Sequence, residues 1–135
     1  MPEGYSGTPL AKKLGIKPQH RLGLIAAPDY TEAILAPLPP DVTVRRRAQG
    51  RFDVIVFFCH REKDLAARFG PLATRLEKNG GLWIGWPKKS SELATDLAFD
   101  VVQRIGLAAG LVDNKVCAID KTWSGLRFVY RLKDR

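Results

Sequence analysis

The chain has 135 residues, 45% of them apolar, with 22 lysines and arginines against 14 acids for a net charge of +8. That length suits one core of ordinary size and excludes two independent domains, while the lack of any apolar run near the roughly 20 residues of a bilayer crossing argues against a membrane partner and for a cytoplasmic protein. The charge favours an anionic partner, and two cysteines and two histidines without paired spacing exclude a disulfide framework or a zinc cluster, so no metal is expected.

Residues 1–7 carry two glycines and a proline without periodicity and are expected as an extended arm. Thr8 has the chemistry of a helix N-cap with Pro9 at the first helical position, and Leu10 and Leu14 give a short helix one apolar face that Gly15 ends. Residues 21–27 are a continuous small and apolar run, which predicts a strand covered on both faces. A short helix over 31–35 is closed by Pro37, Pro39 and Pro40, and Val42 and Val44 alternate with polar residues as a brief strand. Residues 53–59, Asp-Val-Ile-Val-Phe-Phe-Cys, give the strongest strand signal and are expected at the centre of the sheet.

Leu65, Phe69, Leu72 and Leu76 recur at helical spacing and predict a helix over 61–78, kinked or divided at Pro71 and ended by Asn79-Gly80-Gly81. A strand over 82–86 follows. Leu93, Leu97, Val101 and Ile105 then predict a helix capped by Ser91 or Thr95, and two strand-like runs, 115–120 and 126–132, close the chain as an antiparallel hairpin.

Strands alternating with helices predict an α/β fold: one three-layer, Rossmann-like domain over 1–135, its sheet mostly parallel with the hairpin at one edge. Ligands of such sheets collect beyond the carboxyl ends of the strands. The loops at 28–30, 45–47, 59–61 and 87–90 therefore share one rim.

Lys88, Lys89, Ser90 and Ser91 combine ammonium charge and hydroxyl donors with the free N–H groups of a helix start, a set suited to phosphate or carboxylate; the plainer alternative is two solvated lysines beside a serine cap. Asp96 in the following turn orients a lysine, acts as a general base or complements the helix dipole. Asp29, Tyr30 and His60 join the same rim, and Tyr30, Trp83, Trp86 and Trp123 offer aromatic faces to a planar ligand. Trp83 and Trp86 stand three apart on a strand and so face opposite sides. Cys59 and His60 are adjacent on extended backbone, point apart and do not make a nucleophile with its base. Arg45, Arg46 and Arg47 with Arg51 form the densest basic cluster, able to contact nucleic-acid phosphates without reading sequence, or else a solvated loop.

Tyr5-Ser6-Gly7-Thr8-Pro9-Leu10-Ala11-Lys12-Lys13-Leu14-Gly15-Ile16-Lys17, the run Trp86-Pro87-Lys88-Lys89-Ser90 through Thr95-Asp96-Leu97, and Gly110-Leu111-Val112-Asp113-Asn114-Lys115-Val116-Cys117 resemble a family of small bacterial proteins known only as a domain of unknown function. A looser likeness is architectural. A leading helix, a Lys-Pro-x-x-Arg approach to the first strand, a Gly-Gly-x-Trp-Ile strand after a long helix and a closing hairpin resemble class I S-adenosylmethionine methyltransferases. That class ends its first strand in a Gly-x-Gly-x-Gly loop, because a Cβ would keep the backbone from the cofactor. Here the place reads Ala26-Ala27-Pro28-Asp29-Tyr30, and Arg45-Arg46-Arg47 replaces the acidic residue that would hold the ribose. Both departures argue against S-adenosylmethionine as the cofactor.

The sequence thus leads to a small binding protein that recognises an anionic small molecule or a protein partner at the rim. The alternatives are a divergent transferase of methyltransferase-like fold and a nucleic-acid-associated regulator.

Overall fold

A computed structural model describes residues 7–135, so the arm expected over 1–7 lies, apart from Gly7, outside the described residues. The elements run α1 (Leu10–Lys13), β1 (Arg21–Ile25), α2 (Thr31–Leu35), β2 (Thr43–Arg45), β3 (Phe52–Phe58), α3 (Glu62–Ala73), β4 (Leu76–Pro87), α4 (Phe99–Ala108), β5 (Leu111–Ala118) and β6 (Trp123–Tyr130). The strands form one sheet in the order β2-β1-β3-β4-β6-β5. The first four are mutually parallel, and β6 runs antiparallel to both β4 and β5. This is the Rossmann-like α/β arrangement that the alternation of strands and helices predicts.

Alternation along each strand divides the core in two. Leu22, Leu24, Val54, Val56, Phe58 and Trp83 point to the side covered by α1 and α2. Ile25, Ile55, Phe57, Ile84 and Trp86 point to the side covered by α3 and α4. Trp83 and Trp86 accordingly lie on opposite faces, both in the core. The Trp83 indole N–H donates to the Leu14 carbonyl at 2.9 Å, satisfying a buried donor and a helix-end acceptor together.

Four local expectations are corrected. Thr8 makes no capping bond; Pro9 takes the cap position with extended backbone, and α1 starts one residue later. Helix α3 stops at Ala73, and Leu76 begins a long strand instead of a fourth apolar turn. Pairing of Leu76 with Phe52 wins over helical periodicity, and both side chains are fully buried. Asn79, Gly80 and Gly81 consequently lie inside β4 rather than ending a helix. Gly80 is required there, because a Cβ would come 2.5 Å from the Asp53 carbonyl oxygen. Finally, no helix starts at Ser91 or Thr95: α4 begins at Phe99, and Leu93 is 45% exposed in the preceding loop.

Candidate functional site

The order β2-β1-β3 puts strands entered in opposite directions on either side of β1, so a topological switch point lies between β1 and β3. Beyond it stand the loop after β1, His60 after β3, the loop after β4 and the turn between β5 and β6. The hairpin turn belongs to this rim because β6 is antiparallel to β4, with Trp123 opposite Pro87.

The loop after β1 is held from below. Arg46 donates through Nη1 to the Ala27 carbonyl and through Nη2 to the Pro28 carbonyl, each at 2.9 Å, while Nε and Nη2 reach the two Glu32 carboxylate oxygens at 2.8 and 2.5 Å. The pair holds Glu32 below the usual carboxylate range, chiefly through the Arg46 hydrogen bond. Within the loop Ala26 has φ +53, the left-handed turn ordinarily reserved for glycine.

Tyr30 is fixed by the hairpin. The Trp123 indole N–H donates to the Tyr30 hydroxyl oxygen at 3.1 Å, and the Tyr30 O–H donates to Asp120 Oδ2 at 2.9 Å. Asp120 Oδ1 accepts the backbone N–H groups of Thr122 and Trp123 at 2.7 and 2.9 Å. Partial desolvation of this exposed ring, and then the Asp120 bond, raises the phenol above its ordinary pKa. His60 lies against Trp123 with ring centroids 5.9 Å apart, and Phe58 meets the same indole edge-on at 5.1 Å. Between these groups opens a cleft of about 620 Å³ lined by Pro28, Tyr30, Ser91, Glu92, Leu93 and Trp123.

The sequence-predicted residues divide. Tyr30 and Ser91 line the cleft, and His60 packs on its Trp123 wall. Asp29 is exposed on the loop that Arg46 holds. Lys88 joins the rim through its backbone N–H, which donates to the Thr122 carbonyl at 2.8 Å; Lys89 and Ser90 are exposed beside it. No helix start supplies these residues with free N–H groups, and the Ser91 hydroxyl and N–H both donate to the Lys88 carbonyl. Asp96 is not on a helix either: its Oδ1 accepts the Glu62 N–H at 2.7 Å, supplying the cap that α3 lacks from its own flank, while its N–H and the Thr95 hydroxyl bind the His60 carbonyl. Cys59 and His60 point apart, the first buried and the second exposed.

The arginine cluster is dispersed. Arg46 is spent on the loop below the rim, Arg45 donates to the Gln49 carbonyl at 3.4 Å, and Arg47 is exposed. Arg51, just before β3, bonds Glu77 and the Thr74 and Leu76 carbonyls at the far end of the sheet. The cleft residues that the sequence did not single out are Glu92, Leu93 and Thr122. The antiparallel direction of the last strand was the available signal, because it returns the hairpin turn to the carboxyl ends of the parallel strands.

No family model matches the chain, and no curated protein matches it, so the expected family of small bacterial proteins has no support there. Solved structures do match. An O-methyltransferase family 2 protein from Planctomyces limnophilus in complex with apigenin aligns with TM-score 0.61 at 12% identity, over 83% of this chain and 50% of that one. A ribosomal protein L11 methylase from Lactobacillus delbrueckii gives 0.56 at 12%, over 90% and 75%. The magnesium protoporphyrin IX methyltransferase of Synechocystis, with S-adenosylmethionine bound, gives 0.55 at 11%, over 90% and 74%. The chain spans half to three quarters of the length of these structures.

These neighbours correct the expectation that argued against S-adenosylmethionine, because proteins of this fold hold it or S-adenosylhomocysteine. That likeness of fold carries the correction; in this chain Ala26 takes a left-handed turn, φ +53, at the place of the glycine loop. The chain has the Rossmann-like fold of the class I S-adenosylmethionine methyltransferases.

Proposed function

We propose that this protein is a divergent methyltransferase-like transferase that takes S-adenosylmethionine in the cleft beside Tyr30 and Trp123. The observation that carries the reading is the lining of that cleft: aromatic and carboxylate groups at the carboxyl ends of the strands, with no lysine or arginine among them. Such a lining favours a planar, positively charged ligand over the phosphate that the lysines suggested. The adenine ring has Tyr30 to lie against, and the sulfonium and amino groups have Glu92 for a counter-charge. The residues therefore fit the group, although Arg46 leaves no ribose-binding acid at the end of β2. When bound, S-adenosylmethionine supplies an electrophilic methyl group. The chain's own part is to present a rigid wall, since Tyr30 is held by two hydrogen bonds and the loop after β1 by the Arg46 fork.

Equilibrium dialysis with labelled S-adenosylmethionine tests the reading. Saturable uptake is expected, weakened about tenfold in Tyr30→Ala, which removes the stacking face, and less in Tyr30→Phe. Absence of saturable uptake, or equal uptake by wild type and Tyr30→Ala, contradicts it.

A further inference from the structure

A second cavity lies at the opposite pole, below the amino-terminal ends of the parallel strands. It encloses about 150 Å³ and is lined by Gly15, Lys17, His20, Asp53, Gly80 and Arg127, among others. Arg127 reaches it from β6 across Gly81, where any Cβ would collide with the guanidinium. Glycine at that position is what lets the arginine lie flat against the sheet.

Arg21, Arg46, Arg51 and Arg104 each meet a carboxylate. Arg127, half-buried, has no carboxylate partner among the described residues; its hydrogen bond is a long one, 3.4 Å from Nη1 to Asn114 Oδ1. The acid in the cavity is already engaged, because Asp53 Oδ2 accepts the Arg21 backbone N–H at 2.7 Å and its Nε at 3.2 Å. Glu77 nearby is shared between Arg21 and Arg51. Burial, then the charge of Arg135, disfavours the Arg127 cation, so an incoming anion would relieve an uncompensated charge. The His20 Nδ1 accepts the Lys17 N–H at 3.1 Å, which leaves Nε2 to carry the proton of the neutral ring.

We propose that this cavity is a binding site for a terminal phosphoryl group, with Arg127 as the forked donor and Lys17 and His20 as its companions. The guanidinium matches two phosphoryl oxygens at once, and the neighbouring ammonium supports a dianion. The volume admits a phosphoryl group and excludes the rest of a nucleotide, so the ligand is a phosphate monoester whose remainder stays outside. The site lies at the other end of the sheet from the Tyr30 cleft and does not depend on it.

The test is titration of the whole chain with inorganic phosphate, phenyl phosphate and dimethyl phosphate, read by melting temperature and by ³¹P line width at constant ionic strength. Inorganic and phenyl phosphate are expected to saturate, and dimethyl phosphate, with one charge and two blocked oxygens, to give no saturable response. Arg127→Gln and Lys17→Gln should each weaken phosphate binding about tenfold or more, and Arg127→Lys by an intermediate factor. Lys63→Gln, an equal loss of charge on an exposed face of α3, should leave it unchanged. Lys17 is exposed, so its variant keeps the test valid even if Arg127→Gln fails to fold. No saturable response to phosphate, equal binding by Lys17→Gln and wild type, or equal binding of the diester would overturn the proposal.

Discussion

Cys59 and His60 are neighbours in sequence but stand in different media. Burial, with smaller contributions from Asp64 and Asp96, pushes the Cys59 thiol from 9.0 up to about 12. A raised thiol keeps its proton in the folded state, so its contribution to stability is full below pH 9 and is lost as pH climbs toward 12. Stability of the wild type should therefore fall through that window more steeply than that of Cys59→Val, measured by urea unfolding at stepped pH. At pH 7 Cys59 should resist alkylation until the chain unfolds. Ala26 supplies a second prediction. Its left-handed backbone costs about 1–2 kcal/mol, and the extra freedom of an unfolded glycine returns about half of that, so Ala26→Gly should stabilise by roughly 0.5–1 kcal/mol in urea unfolding.

Helix α4 tests how closely an element must approach the sheet. In a helix interior Gly→Ala gains about 1 kcal/mol in propensity. At Gly106, however, the added Cβ would run into the Phe128 ring, which is fully buried and meets Phe69 edge-on at 5.1 Å. Overpacking of this kind costs about 1–3 kcal/mol or more, so it outweighs the propensity gain, and Gly106→Ala should lower stability by about 2 kcal/mol in urea unfolding. Elements with their own local grammar were legible in the sequence: the apolar runs of β1 and β3, the five residues of α2 and the closing hairpin. What misled was periodicity shared between states. Leu76 continues the spacing of α3, yet its partner is Phe52, so its state is decided by a strand distant in the chain rather than by its sequence neighbours. Leu93 and Leu97 likewise fit a helical stripe, but Thr95 and Asp96 bind the His60 carbonyl and the Glu62 N–H, and those bonds hold the segment as a loop until Phe99.

At the scale of the molecule, the rim was legible and its chemistry was not. Parallel strands had to deliver the loops after β1, β3 and β4 to one end, and they do. Which side chains face the cleft depended on bonds between distant segments: Arg46 to the Ala27 and Pro28 carbonyls, and Tyr30 to Asp120 and Trp123. The arginine that looked like part of an anion surface is the strut of the loop. Arg46→Ala should lower stability by about 1 kcal/mol, a value discounted for exposure, and speed amide exchange in residues 29–31. Among the described residues no helix is long and apolar enough to cross a membrane.

The proposed function requires S-adenosylmethionine to bind beside Tyr30 and Trp123. Backbone chemical-shift mapping during its titration should show saturating changes at residues 26–30, 91–93 and 122–123, with Lys17 and Arg127 silent. Shifts confined to the Lys17 and Arg127 pole, or none at saturating ligand, would contradict it.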